Sequence, residues 1–294
     1  MADNRAIFTN KLLPYLLVFP QISIVAVFFL WPGFQAVLLS MFREDAFGTR
    51  REFVGFENFV RLFANESYIN SMQVTLFFSI AVMLIVISLG LFFAVLADRA
   101  VRGANFYTTM IIWPYAVAPA VSGVMWMFLF NPTIGVISHA LDVVGFEWNH
   151  ALVPAHGFLL VVLAASWKQI AYNFLFFLAG LQNIPSSLIE SAAIDGAKPN
   201  TRFWRVVFPL LSPTTFFLVI MNVMYTFFLT FGIIHQVTQG GPGQATNILV
   251  YKVYRDGFVN LNLGASSAQS VVLMAIVIGL TFIQFHFFER KVHY

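Results

Sequence analysis

Gln73-Val-Thr-Leu-Phe-Phe-Ser-Ile-Ala-Val-Met-Leu-Ile-Val-Ile-Ser-Leu-Gly-Leu-Phe-Phe-Ala-Val-Leu-Ala97 carries no charged residue. Lipid offers a backbone no hydrogen-bond partner, so an apolar run of about 20 residues reads as a helix that crosses the bilayer and satisfies its own amides. Five further segments read the same way, at about 13–38, 107–130, 157–180, 207–234 and 266–288. Of the 294 residues 59% are hydrophobic and 10% charged, with a mean hydropathy of +0.80. A water-soluble domain carries about 25% charged residues. The expected fold is therefore all-α, an integral membrane bundle of six transmembrane helices over residues 13–288, with polar tails at 1–12 and 289–294. The first span exceeds a signal-peptide core and no small-residue cleavage site follows it, so it is expected to be retained.

The same composition argues against several functions. There is no cysteine, which removes disulfides and thiolate metal sites. The net charge of +3 is not gathered into a basic, aromatic-interleaved patch, so no nucleic acid is expected as a partner. The histidines, at 139, 150, 156, 235, 286 and 293, show no metal-ligand spacing, and no Ser/His/Asp spacing suggests a triad.

Basic residues in short loops mark the cytoplasmic side. With both termini inside, the cytoplasmic segments hold Arg5, Lys11, Arg99, Arg102, Lys198, Arg202, Arg205, Arg290 and Lys291. The outer loops hold Arg43, Arg50, Arg51, Arg61, Lys252 and Arg255, the first four offset by Glu44, Asp45, Glu52, Glu57 and Glu66. This favours an inner-membrane orientation with both termini cytoplasmic. Pro14, Pro20, Pro32, Pro114, Pro119 and Pro213 interrupt the spans. Such breaks are tolerated where a helix lines a protein-packed or watery cavity, although membrane helices are in any case richer in Pro and Gly than soluble ones.

The segment between the fourth and fifth spans, residues 184–209, has its own pattern. Ser187 and Glu190 have capping-box spacing, which predicts a short helix from Ser187. Gly196 and Pro199 are placed to end it, and Asn200 to cap a second short helix through Phe203, Trp204 and Val207 that leads into the next span at Pro209. Leu188, Ala192 and Gly196 share one face, with Ile189, Ala193 and Ala197 on its neighbour. Small side chains there would let another protein approach closely. A linker resting in the lipid headgroups would have a similar composition.

Glu190-Ser-Ala-Ala-Ile-Asp-Gly-Ala197, followed by Phe203 and Pro209, resembles the EAA loop of ABC importer permeases. Ser191 replaces the usual Ala, and Phe208 stands where Leu is common. The resemblance covers nearly the whole chain and points to the carbohydrate-uptake, maltose permease-like branch. It is carried by Leu13-Pro-Tyr15, Phe53-Val-Gly-Phe-Glu-Asn-Phe59, Leu178-Ala-Gly-Leu-Gln182 and Thr238-Gln-Gly-Gly-Pro-Gly-Gln-Ala-Thr246. Val74 and Ser138 stand where that branch commonly has Asn. Within the branch, Trp113-Pro-Tyr-Ala-Val-Ala-Pro-Ala120, Trp167-Lys-Gln-Ile-Ala-Tyr-Asn-Phe-Leu-Phe-Phe177, Tyr251-Lys-Val-Tyr-Arg-Asp-Gly-Phe258 and Ser267-Ala-Gln-Ser-Val-Val-Leu273 are most similar to the A-type permease subunits of glycerol-3-phosphate importers.

That resemblance implies half of a translocation pathway for glycerol-3-phosphate or glycerophosphodiesters, with an oligosaccharide or other sugar as the alternative substrate. It implies a second, E-type permease, a cytoplasmic ATPase homodimer that binds ATP and Mg, and a periplasmic substrate-binding protein. This chain itself has no nucleotide P-loop and is expected to bind no cofactor. Glu190, Ala192, Ala193, Asp195, Gly196, Ala197, Phe203 and Pro209 would couple to the ATPase, while Gly240, Gly241, Pro242 and Thr246 would meet the delivery protein or simply form a turn. Lys168 lies inside the fourth span, where an unpaired ammonium costs at least about 2.5 kcal/mol, so it should face the interior or snorkel. It is a candidate contact for phosphate. Asn173, Gln182, Asn222 and Tyr225 are candidates for the same pathway, or for hydrogen bonds that hold helices together. An ion-coupled secondary transporter would want carboxylates within the spans, and none lies mid-span.

Overall fold

The computed structural model describes residues 12–44, 50–99 and 103–288. The tails, with Arg5, Lys11, Arg290 and Lys291, and the loop residues Asp45 and Arg102 lie outside the described residues. Helix α1 (Leu13–Leu39) passes through Pro20 and a π turn at Ala26–Leu30 without ending. A two-stranded hairpin follows, β1 (Phe42–Glu44) antiparallel to β2 (Arg51–Phe53). Then come α2 (Glu57–Phe63), α3 (Glu66–Arg99), α4 (Ala104–Ile112), α5 (Pro119–Leu129), α6 (Val136–Val143) and α7 (Pro154–Gln182). Helix α8 (Ser186–Ile194) precedes α9, which begins at Pro199–Arg202 and continues through a π turn at Phe203–Val207 to Phe208–Leu210. The remainder is α10 (Ser212–Leu229), α11 (Phe231–Val237), α12 (Leu249–Tyr254) and α13 (Leu263–Phe288).

The described residues supply five helices long and apolar enough to cross a membrane, α1, α3, α7, α10 and α13, or six if the bent pair α4 and α5 forms one span. The boundaries at 13–38, 73–97, 157–180 and 266–288 widen by a few residues. Two expectations change more. The run at 107–130 is not a straight helix, because α4 and α5 meet at 103°. Pro119 drives the residue before it out of the helical region, and Val117 and Ala118 are both extended (ψ 130° and 143°). The fifth span starts at Ser212 instead of 207, since residues 207–210 finish α9 and the chain turns at Leu211 before Pro213 opens α10.

The chain divides into two compact units. In the one formed by residues up to 64 and 255–272, Asn58 donates to the carbonyls of Ser40 and Phe42, both at 2.8 Å, and so ties α2 to the hairpin. Glu57 bridges Arg43 and Arg61, each at 2.7 Å, and Arg51 pairs with Glu44. Arg43, Arg51 and Arg61, three of the basic residues that weaken the charge bias, thus have acidic partners beside them.

The other unit, residues 65–254 with 273–294, is organised around α3 and α7. Helix α3 buries Ser71, Thr75, Phe78, Val82, Val86, Gly90 and Ala94, one residue every three or four, which is the stripe a helix needs to face a partner. The stripe narrows to Gly90, where an added Cβ would lie 2.6 Å from the Asn173 Cβ on α7. One buried cluster centres on Phe78, Val82, Leu160, Ala164, Ile233 and Ile234. A second, toward α8 and α9, consists of Ala94, Phe174, Phe177, Val207, Leu211 and Leu218. In sequence along α7, Gln169 and Asn173 fall between them.

Candidate functional site

Helix α8 begins one residue before the expected Ser187. Pro185 occupies the N-cap position (φ −59°, ψ 126°), and no side chain caps the helix. Ser187 is therefore already inside the first turn, and the capping box with Glu190 does not form. The C-terminus follows the sequence closely. Gly196 adopts φ +80°, the amide of Ala197 donates to Ala192 O and that of Gly196 to Ala193 O, both at 3.0 Å. This is a Schellman ending, which needs a left-handed residue at the glycine position. Nothing lies within 4 Å of a Cβ built on Gly196, so conformation, and not a close approach within this chain, demands glycine. Pro199 does not end α8 but opens α9 as its first helical residue, and Asn200 makes no cap.

The loop has an inner and an outer side. Ile189 and Phe203 pack against the cluster of Ala94, Phe174, Phe177, Val207, Leu211 and Leu218, while Ala192 and Ala197 are half-buried. Leu188, Glu190, Ala193, Ile194, Asp195, Gly196 and Pro209 are exposed, Ile194 to 86%. Ile189 and Phe203 thus join the loop to a cluster with members from α3, α7 and α10. The predicted coupling residues are spread over α8 (Glu190, Ala192, Ala193), its C-terminal turn (Asp195, Gly196, Ala197) and α9 (Phe203, Pro209).

The pathway candidates separate into three groups. Asn173 and Asn222, both fully buried, exchange two side-chain hydrogen bonds at 3.1 and 2.8 Å, and Gln169 donates to Asn222 Oδ1 at 3.0 Å. These amides satisfy one another and clamp α7 to α10. Gln182 is exposed at the end of α7, about 21 Å along the helix from Lys168 at 1.5 Å per residue. Lys168 and Tyr225 line a cavity of about 370 Å³ together with Tyr115, Gln169 and Tyr172. Tyr225 turns its hydroxyl to Ala165 O at 3.0 Å. Lys168 Nζ donates to the main-chain carbonyl of Tyr115 at 2.7 Å and sits 4.8 Å from the centre of its ring.

Tyr115, Gln169 and Tyr172 were not singled out from sequence. Gln169 follows Lys168 directly and Tyr115 lies within the Pro114 to Pro119 interruption, so both are sequence neighbours of features that mark the site. In the loop after α11, Gly240 has φ +82° and Thr246 is fully buried, donating to Gly241 O at 2.8 Å. Gly241 and Pro242 are half-buried, with Gln239 and Gly243 exposed on either side. Thr246 therefore holds the loop's shape.

Two solved structures have closely similar chains. A chain of a bacterial alginate ABC transporter in complex with alginate pentasaccharide-bound periplasmic protein superposes with a TM-score of 0.82 at 20% identity, covering 95% of this chain and 94% of that one. A chain of a bacterial ABC transporter involved in the import of alginate gives 0.79 at 21% identity, covering 94% and 96%. Over the sequence, the sn-glycerol-3-phosphate transport system permease protein UgpA of Rhizobium meliloti (strain 1021) is 59% identical across 291 residues, 99% of each chain. The protein of the same name from Yersinia pseudotuberculosis is 54% identical across the full length of both. Residues 87–294 match the family model of the binding-protein-dependent transport system inner membrane component. The fold is thus that of a membrane permease for transport. The chain belongs to the family of binding-protein-dependent transport system inner membrane components.

Proposed function

We propose that this chain is the A-type permease subunit of an ATP-driven importer for sn-glycerol-3-phosphate or its glycerophosphodiesters. The observation that carries this reading is the 59% identity, over 99% of both chains, to a glycerol-3-phosphate permease. The chain forms half of the pathway with an E-type permease. A periplasmic protein delivers substrate to the loop that holds Gly240, Gly241, Pro242 and Thr246. An ATPase homodimer, carrying ATP and Mg, engages Glu190, Ala193, Asp195 and Gly196 on the exposed side of α8. Closure of the ATPase biases two discrete arrangements of the bundle, which open to opposite faces of the membrane.

Cells without their own glycerol-3-phosphate uptake, given this chain and its partner subunits, are expected to accumulate the labelled compound. Accumulation of an oligosaccharide in its place would assign the chain to the sugar carriers. Uptake by this chain alone under an ion gradient would remove the ATPase from the scheme. For topology, tags at both termini should be cytoplasmic and a tag within residues 131–156 external; protease access to that loop only from the cytoplasm would reverse the orientation.

A further inference from the structure

The cavity beside Lys168 lies at the break in the span formed by α4 and α5. Residues 113–116 form a 3-10 turn and Val117 and Ala118 are extended. Part of the break's backbone therefore has no helical partner, and Lys168 from α7 supplies one to Tyr115. An ammonium has three N–H donors. One is spent on this carbonyl. None of the eight residues lining the cavity is acidic, so no carboxylate in its wall balances the charge.

We infer that this cavity is an anion subsite whose resting occupant is the Tyr115 carbonyl, and that a phosphoryl group takes that carbonyl's place on Lys168. The inference rests on the proposed transport of a phosphate ester and adds where that ester is held and what holding it does. The bond to the carbonyl already has an ionised donor, and a phosphoryl oxygen adds to it the attraction of opposite charges that a neutral carbonyl lacks, so a phosphoryl oxygen displaces the carbonyl. The volume, about 370 Å³, is near the lower end of the range of about 300–1,000 Å³ for small-molecule sites, and suits a three-carbon phosphate better than an oligosaccharide. Tyr115 and Tyr172, whose rings are 5.8 Å apart, form an aromatic wall for the carbon chain. Release of the carbonyl frees the extended pair Val117 and Ala118 to act as a hinge between α4 and α5. Cargo in the pathway is thereby felt as a change at the bend.

The chain has no cysteine, so nitroxide labels at Thr109→Cys on α4 and Val121→Cys on α5 report the bend in an otherwise cysteine-free, fully assembled importer. Millimolar sn-glycerol-3-phosphate and inorganic phosphate should each change the distance between labels, and glycerol should not. Lys168→Gln keeps a donor for the carbonyl and loses the charge. It should retain the cargo-free distance and raise the concentration for half-response about ten- to a hundredfold, whereas Lys168→Arg should respond nearly as the parent does. An equal response to glycerol, or an unchanged half-response in Lys168→Gln, overturns the subsite. The phosphate and glycerol comparison in the unsubstituted chain decides the matter even if a variant fails to assemble. Failure of the unsubstituted importer to take up glycerol-3-phosphate counts against the proposed function itself; normal uptake with an unaltered Lys168→Gln response counts against the subsite alone.

Discussion

Replacing Gly196 by aspartate should leave the chain inserted and paired, yet lower uptake by at least about tenfold and release the ATPase, because a charge is forced into a close helix-in-groove contact. The site has φ +80° and open space around the glycine within this chain. Aspartate is among the residues that visit the left-handed region, so the strain stays near the 1–2 kcal/mol typical of it and α8 still folds. The loss then comes from the partner's side. Ala193→Glu, on the exposed face of the same helix, should act alike without any backbone strain. Glu190→Ala should do little, since Glu190 makes no cap in α8, unless it meets a basic residue across the interface. Copurification of the ATPase beside uptake in cells measures all three. Retained ATPase and normal uptake in Gly196→Asp would remove the coupling role from this loop.

Gly90→Val should have the other large effect, on the amount of folded permease. Even its Cβ would stand 2.6 Å from Asn173 Cβ and 3.1 Å from the Phe174 amide nitrogen, so α3 and α7 must move apart. Overpacking of this kind costs about 1–3 kcal/mol. Moving Asn173 also strains its paired bonds with Asn222, and an unsatisfied buried amide costs about 1–3 kcal/mol more. A drop of at least about tenfold in membrane-inserted, monodisperse protein is expected from the sum. Gly279→Val, where a Cβ meets open space, is the control and should leave the level unchanged. Equal levels in the two variants would show that α3 and α7 are free to reseat.

The spans were legible because lipid imposes one demand on every residue of a crossing helix, and hydropathy records it directly. The end of α8 was legible for a similar reason, since Gly196 answers a local conformational need. Its start was misread because Ser187 and Glu190 are suitable for a cap wherever they occur, and only the position of Pro185 decides that the helix has already begun. Pro114 and Pro119 announced a break but not its 103° bend, which depends on what the two halves pack against. The acceptor for Lys168 is a main-chain carbonyl 53 residues earlier, and a carbonyl has no residue-specific signature. Asn173 and Asn222 were read as polar and interior, which holds, but their reciprocal pairing is a long-range fact that spacing does not encode. Gly90 drew no notice in an apolar run until its neighbour on α7 was known.

The amide of Leu249, at the start of α12, donates at 2.8 Å to the Thr75 hydroxyl on α3, 174 residues upstream, while that hydroxyl donates to Ser71 O. A helix's first amides lack partners within the helix, and here the partner is supplied from far away. This sets an order for biogenesis. Thr75 is synthesised early and waits in α3, whereas α12 receives this bond only after more than four-fifths of the chain has left the ribosome. A nascent chain arrested before Leu249 would contain α3 and α7 without this closing bond.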